Sequence, residues 1–151
     1  MTSFGPSSVV IDANITVFAV WPTAFTAQAQ ALLARLRDEG KVIHVPELWR
    51  AEVVSALHKL GMVQEVGREH VHRAVRAALK TAPKRFPLDT SLCLAALTWA
   101  ERLRQTKAYD AFYLALAEGL GAEFWTADKR LARRAHHAGA DFVRLLGEEG
   151  A

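Results

Sequence analysis

The 151-residue chain has a single cysteine, Cys93, so it can close no internal disulfide. It also lacks a basic N-terminal segment followed by an apolar core, the pattern that directs secretion. Together these lead us to expect a cytoplasmic protein. No apolar run approaches the roughly 20 residues needed to cross a bilayer, and no membrane partner is expected. Low-complexity tracts and internal repeats are absent, and 51% of the residues are hydrophobic, which excludes intrinsic disorder and solenoid architectures. Zinc spacing is missing too: His70 and His72 point to different sides of a helix, and the neighbours His136 and His137 do no better. The length suits one domain covering residues 1–151, with a core from about 9 to 146.

The formal charge of +3 fits an anionic partner without requiring one. Its distribution says more. Basic residues gather in Arg68–Arg76, Lys80–Arg85, Arg102–Lys107 and Lys129–Arg134, while several acids sit inside apolar sequence. Each basic cluster alone reads as a solvated helix face; together they keep nucleic acid among the candidate partners.

Along the chain, Val9–Ile11 reads as a buried parallel strand ending at Asp12. Thr26–Glu39 has helical spacing and Gly40 stops it, and Lys41–Val45 is a second strand. Pro46 suits the first turn of a helix to about Leu60, stopped by Gly61, and a basic helix covers Gln64–Lys80. Phe86–Asp89 fits a short edge strand, and Thr90 or Ser91 can cap a helix to about Gln105. Ala108–Gly119 is apolar on every face except at Asp110, as in a helix buried within a domain. Glu123–Thr126 is a strand, Lys129–Ala138 a helix and Asp141–Leu146 the last strand. This alternation predicts an α/β fold with one mostly parallel sheet of four or five strands and helices on both faces.

In such folds ligands bind beyond the carboxyl ends of the strands. Asp12 and Asp128 both fall there, with Thr126 beside Asp128. Glu52 flanks or enters the apolar side of its helix, and Asp110 interrupts another. Read singly, each acid has a plain role: a cap or loop acid at Asp12 and Asp128, a surface residue at Glu52, a partner for a buried arginine at Asp110. Gathered, four carboxylates would repel by about 4 kcal/mol per pair at 4 Å and an effective dielectric near 20. Protons or a multivalent cation must then neutralise them, and Mg²⁺ or Mn²⁺ suits oxygen ligands.

The stretches V-V-I-D-A-N, V-P-E-L-W-R-A-E-V-V-S-A-L, A-Y-D-A-F-Y-L-A-L-A and F-W-T-A-D-K-R-L closely resemble, in order and spacing, the four acidic motifs of PIN-domain ribonucleases. Chain length is most similar to VapC-type toxins of toxin–antitoxin pairs. The resemblance spans Val9 to Leu146. It implies a PIN-like fold, a Mg²⁺- or Mn²⁺-dependent endoribonuclease, an RNA substrate, a cognate antitoxin and a homodimer. Asp12, Glu52, Asp110 and Asp128 become the metal-binding and catalytic acids, with Asn14 and Thr126 as polar supports. Many relatives carry a further acid shortly after the fourth; here Lys129, Arg130 and Leu131 follow Asp128, so a second ion is expected to bind weakly or with substrate. Lys129, Arg130, Arg133 and Arg134 are candidates for the RNA backbone. Trp49, Trp99 and Trp125 read as core or partner packing, whereas Trp21, before a proline in an expected loop near Asp12, is the aromatic candidate for RNA or a protein partner.

Two alternatives stand beside this reading. In a haloacid-dehalogenase-like phosphatase Asp12 would be a phosphorylated nucleophile and Thr126 a phosphate ligand, but that family needs an aspartate where Asn14 stands and leaves Glu52 and Asp110 unexplained. A non-catalytic PIN-like module would bind RNA or protein without cutting, and the presence of all four acids speaks against it.

Overall fold

The computed structural model describes residues 7–148. Five strands form one parallel sheet: β1 (Ser8–Ile11), β2 (Val42–Pro46), β3 (Lys84–Phe86), β4 (Glu123–Thr126) and β5 (Val143–Leu145), in the order β3-β2-β1-β4-β5. Seven helices connect them: α1 (Ala13–Val20), α2 (Thr26–Asp38), α3 (Leu48–Val63), α4 (Arg68–Lys80), α5 (Thr90–Leu103), α6 (Tyr109–Leu120) and α7 (Lys129–His137). Every residue of β1 is buried, so the central strand is covered on both faces, as a β-branched run in a parallel sheet requires. The α/β architecture expected from the alternation is the one observed.

The chain moves outward from β1 to β2 and β3, then returns to the other side of β1 to lay down β4 and β5. The order therefore reverses between β1 and β4, and a crevice opens beyond their carboxyl ends. Asp12 follows β1 directly, its N–H bonded to the Trp125 carbonyl of β4 at 2.9 Å. Helix α6 packs on β1, β2 and β4, and α5 packs on α6. Ala111, Ala115 and Ala117 keep α6 slim, and Tyr113, Leu114, Leu116 and Leu120 fill the space around it. Buried on nearly every side, α6 justifies its apolar composition.

Several local expectations are corrected. Helix α1 follows the first strand after a single residue; the sequence ends the strand at Asp12, but A-N-I-T-V-F-A-V is too evenly apolar to display helical spacing. Pro46 ends β2, paired with Phe86, and does not open α3. Gly61 lies within α3, because α4 crosses so closely that a Cβ there would strike the Val71 side chain. The real break comes at Glu65, with φ of 53°, and Gly67, which precedes α4. The edge strand occupies Lys84–Phe86, ahead of Pro87.

Neither Thr90 nor Ser91 caps α5. Asp89 does, its carboxylate accepting the Leu92 N–H at 2.9 Å. Asp89→Ala is therefore expected to lower stability by about 1 kcal/mol. Thr90→Ala and Ser91→Ala should change it by less than half as much in the same urea titrations.

Candidate active site

Asp12 lies at the end of β1 and is 7% exposed. Its Oδ2 accepts the Thr126 hydroxyl at 2.8 Å, which joins the carboxyl ends of β1 and β4. The Thr126 Oγ1 in turn accepts the Asp128 N–H at 3.0 Å and the Asn14 side-chain amide at 3.4 Å. Asn14 completes the clip by accepting the Ala127 N–H at 3.1 Å. Thr126 and Asn14 thus fix where Asp12 and Asp128 stand relative to each other.

Glu52, in the second turn of α3, is half-buried, and its Oε1 accepts the Tyr113 hydroxyl at 2.6 Å. Tyr113 is fully buried in α6. Asp110 sits in the first turn of α6, as the helix expected from Ala108 also placed it, so its charge faces the positive end of that helix. Gln105 donates to its Oδ2 at 3.5 Å. Asp128 caps α7 by accepting the Leu131 N–H on Oδ1 at 3.1 Å. The cap role is real, yet it engages one oxygen and leaves the other.

The charges report how close these groups are. Burial, eased by the Thr126 bond and aggravated by Asp110 and Glu52, pushes the Asp12 carboxyl up to about 7. Burial also raises Glu52, against the Tyr113 bond and with a push from Asp110. Asp110 is raised by burial first and then by Asp128, with Gln105 opposing. Burial, then Asp12 and Glu52, hold the Tyr113 hydroxyl well above its usual range, so it stays a donor. The four carboxylates therefore share one field, linked in turn from Glu52 through Asp12 and Asp110 to Asp128.

No arginine or lysine pairs with any of them: the ion pairs of the described residues, Arg35–Glu39, Arg85–Glu47 and Arg144–Glu123, all lie elsewhere. Among the described residues no three Asp, Glu, His or Cys side chains already stand at the spacing that holds a metal ion. The donor set, carboxylate oxygens without sulfur or imidazole, is that of a hard divalent cation, and Glu52, Asp110 and Asp128 each keep one oxygen with no protein donor. The residues present fit Mg²⁺ or Mn²⁺.

Among the basic candidates, Arg134 lines a cavity of about 510 Å³ together with Glu52 and Asp110, while Lys129, Arg130 and Arg133 are exposed on α7. Trp21 is corrected. It is 1% exposed, its indole N–H bonds to Gln64 at 3.2 Å and its ring meets the edge of His70, so it cannot stack on a base. Trp49, Trp99 and Trp125 are core residues as expected. Sequence reasoning missed Tyr113 and Gln105. Tyr113 lies one helical turn beyond Asp110, a spacing that could have shown it on the same side of α6.

Raised carboxyls reverse the usual pH dependence of stability. Between 3.8 and about 7 folded Asp12 keeps a proton that the unfolded chain has lost, so its favourable contribution is complete below pH 3.8 and disappears as pH rises through 7. Chemical denaturation of the metal-free protein should show stability falling across this window, by up to about 4 kcal/mol. Asp12→Asn should flatten the profile, and a wild-type stability that climbs from pH 4 to 7 would contradict the burial described.

Three comparisons relate the chain to known proteins. The family model described as PIN domain matches residues 9–137. Ribonuclease VapC9 of Mycobacterium tuberculosis is 33% identical over 124 residues, covering 82% of this chain and 88% of its own. Ribonuclease VapC12 of the same organism is 32% identical over 138 residues, covering 89% and 98%. A solved toxin–antitoxin complex from Klebsiella pneumoniae superposes with a TM-score of 0.64 at 18% identity, over 90% of this chain and 95% of that one.

Proposed function

The chain belongs to the PIN-domain family, of VapC type, and from that premise we propose that it is a Mg²⁺- or Mn²⁺-dependent endoribonuclease acting as the toxin of a toxin–antitoxin pair. The observation that carries this reading is the set of four carboxylates at the β1–β4 crevice, of which Asp12, Glu52 and Asp110 are raised by burial and by their acidic neighbours, and none of which is matched by a protein cation among the described residues. Asp12, Glu52, Asp110 and Asp128 would hold the ion. Bound there, such an ion would supply the Lewis acidity that lowers the pKa of a water for attack on an RNA phosphodiester and offsets charge on the leaving oxygen. The products carry 5′-phosphate and 3′-hydroxyl ends.

The remaining roles belong to the chain itself. Thr126 and Asn14 orient Asp12 and the Asp128 backbone, Tyr113 aims Glu52, and Gln105 steadies Asp110. Lys129, Arg130 and Arg133 present charge to the RNA backbone beside Asp128. With Lys129, Arg130 and Leu131 in place of a further acid, any second ion would bind weakly or only with substrate present. The phosphatase alternative weakens, since Asn14 is engaged by Ala127 and Thr126 and is not a free acid.

The partners are those of the family. The likeness to a toxin–antitoxin complex supports a cognate antitoxin, and Leu94 and Leu97, both more than half exposed on α5, support a homodimer. No helix among the described residues is long and apolar enough to cross a membrane, which accords with a cytoplasmic site of action.

Purified protein with Mn²⁺ should cut RNA and lose that activity in a chelator. Asp110→Asn should abolish cleavage while raising or preserving the metal-free Tm, because one repelling charge is gone; a gain of 1 kcal/mol would appear as about 2–4 °C. Mn²⁺ should raise the Tm of the wild type and not of the variant. RNA left intact by Mn²⁺-loaded protein that nonetheless binds it would favour the non-catalytic module, and a large drop in the variant's metal-free Tm would indicate a structural role for Asp110.

A further inference from the structure

Helix α5 ends in a Schellman arrangement: the Arg104 N–H donates to the Glu101 carbonyl at 3.0 Å and the Gln105 N–H to the Ala100 carbonyl at 3.1 Å. The left-handed position of this motif, φ 54° and ψ 42°, is taken by Arg104, where glycine would be unstrained. Glu65 and Ala82 also have positive φ, but neither lines the 510 Å³ cavity beside the carboxylates. Arg104 does, together with Lys107 and Arg134. Among the described residues none of these three side chains makes an ion pair or a hydrogen bond, although Glu52 and Asp110 line the same cavity. Tyr109, next to Asp110, is 60% exposed, an uncommon position for a large aromatic ring.

The cavity thus presents acids and unpaired cations side by side, with a ring free to be covered. A ligand that satisfies both signs carries phosphates for the cations and approaches the acids through an ion. A polynucleotide does so, and its bases supply a flat partner for the tyrosine. Resting on the ribonuclease reading, we propose that this cavity is a nucleotide subsite beside the cutting site. Arg104, Lys107 and Arg134 hold backbone phosphates there, and Tyr109 stacks on an unpaired base. Bases within a duplex are already stacked and paired, so the subsite selects single-stranded or looped RNA. Backbone strain held at Arg104 is what places its guanidinium in the cavity wall.

Binding of a short labelled RNA is measured by anisotropy over a range of salt, in an Asp12→Asn background that leaves the strand uncut. Arg104→Gly should raise Tm by about 2–4 °C, as strain is relieved, while weakening single-strand binding and lowering the salt slope by about 0.7. Arg134→Ala should lower the slope equally. Tyr109→Ala should weaken single-strand binding roughly tenfold with the slope unchanged, Tyr109→Phe should retain affinity, and the same sequence as duplex should be indifferent to both. Unchanged slopes in Arg104→Gly and Arg134→Ala, a fall in the Tm of Arg104→Gly, or a Tyr109→Ala loss that is equal for duplex and single strand would overturn the subsite. Metal-dependent cleavage by the wild type, assayed in parallel, separates the two readings: RNA cut normally by protein whose variants bind unchanged overturns the subsite alone, whereas RNA bound as described but never cut overturns the ribonuclease reading alone.

Discussion

The hydroxyl of Thr126 governs the arrangement of the site. One oxygen donates to the buried carboxylate of Asp12 and accepts from the Asp128 backbone and the Asn14 amide. Without it the loops after β1 and β4 would have no common anchor, and Asp12, already raised to about 7, would lose the main influence that opposes its burial. The order of the sheet makes this bond possible. Because β1 and β4 are direct neighbours in parallel register, Ile11 beside Trp125, the residues after them emerge together where the chain direction divides.

The helices complete the site from elsewhere in the chain. Helix α3 leaves β2 and brings Glu52 in its second turn, and α6, lying across β1, β2 and β4, brings Asp110 at its start and Tyr113 one turn later. Tyr113 joins the two helices through Glu52 across 61 positions of sequence. Its ring also stacks on Phe124 of β4, with centroids 5.5 Å apart. A single side chain therefore connects the packing of the core to the orientation of a candidate ligand.

Much of this was legible in the sequence, for definable reasons. β-branched runs ending in an acid mark strand ends, so Asp12 and the edge of β4 could be read directly. Glu52 emerged from its row on a helix, and Asp110 from being an acid in an apolar segment. The helix was read from Ala108, one residue early because alanine suits a helix as well as the residues after it, and that reading already put Asp110 in the first turn. Helix α1 was concealed because its residues, Ala13–Val20, are apolar on most faces and so show no helical spacing. Trp21 misled because Trp-Pro reads as a loop, whereas a partner 43 residues away, Gln64, satisfies its indole and allows burial. The bonds of Tyr113 and Gln105 depend on how α6 meets α3 and α5, and strand order decides that.

The choice of partners for the acids is itself informative. The chain has 19 lysines and arginines and uses some of them in surface pairs, all with side chains at least 40% exposed. Within the crevice it uses a hydroxyl, a phenol, an amide and a backbone N–H. A cation there would lower the carboxyls and stabilise the fold, but it would also occupy the oxygens that the proposed ion needs. Neutral donors orient a carboxylate while leaving its charge intact. Arg104 lines the same cavity yet pairs with neither Glu52 nor Asp110, so the proposed site presents both signs without letting them neutralise each other.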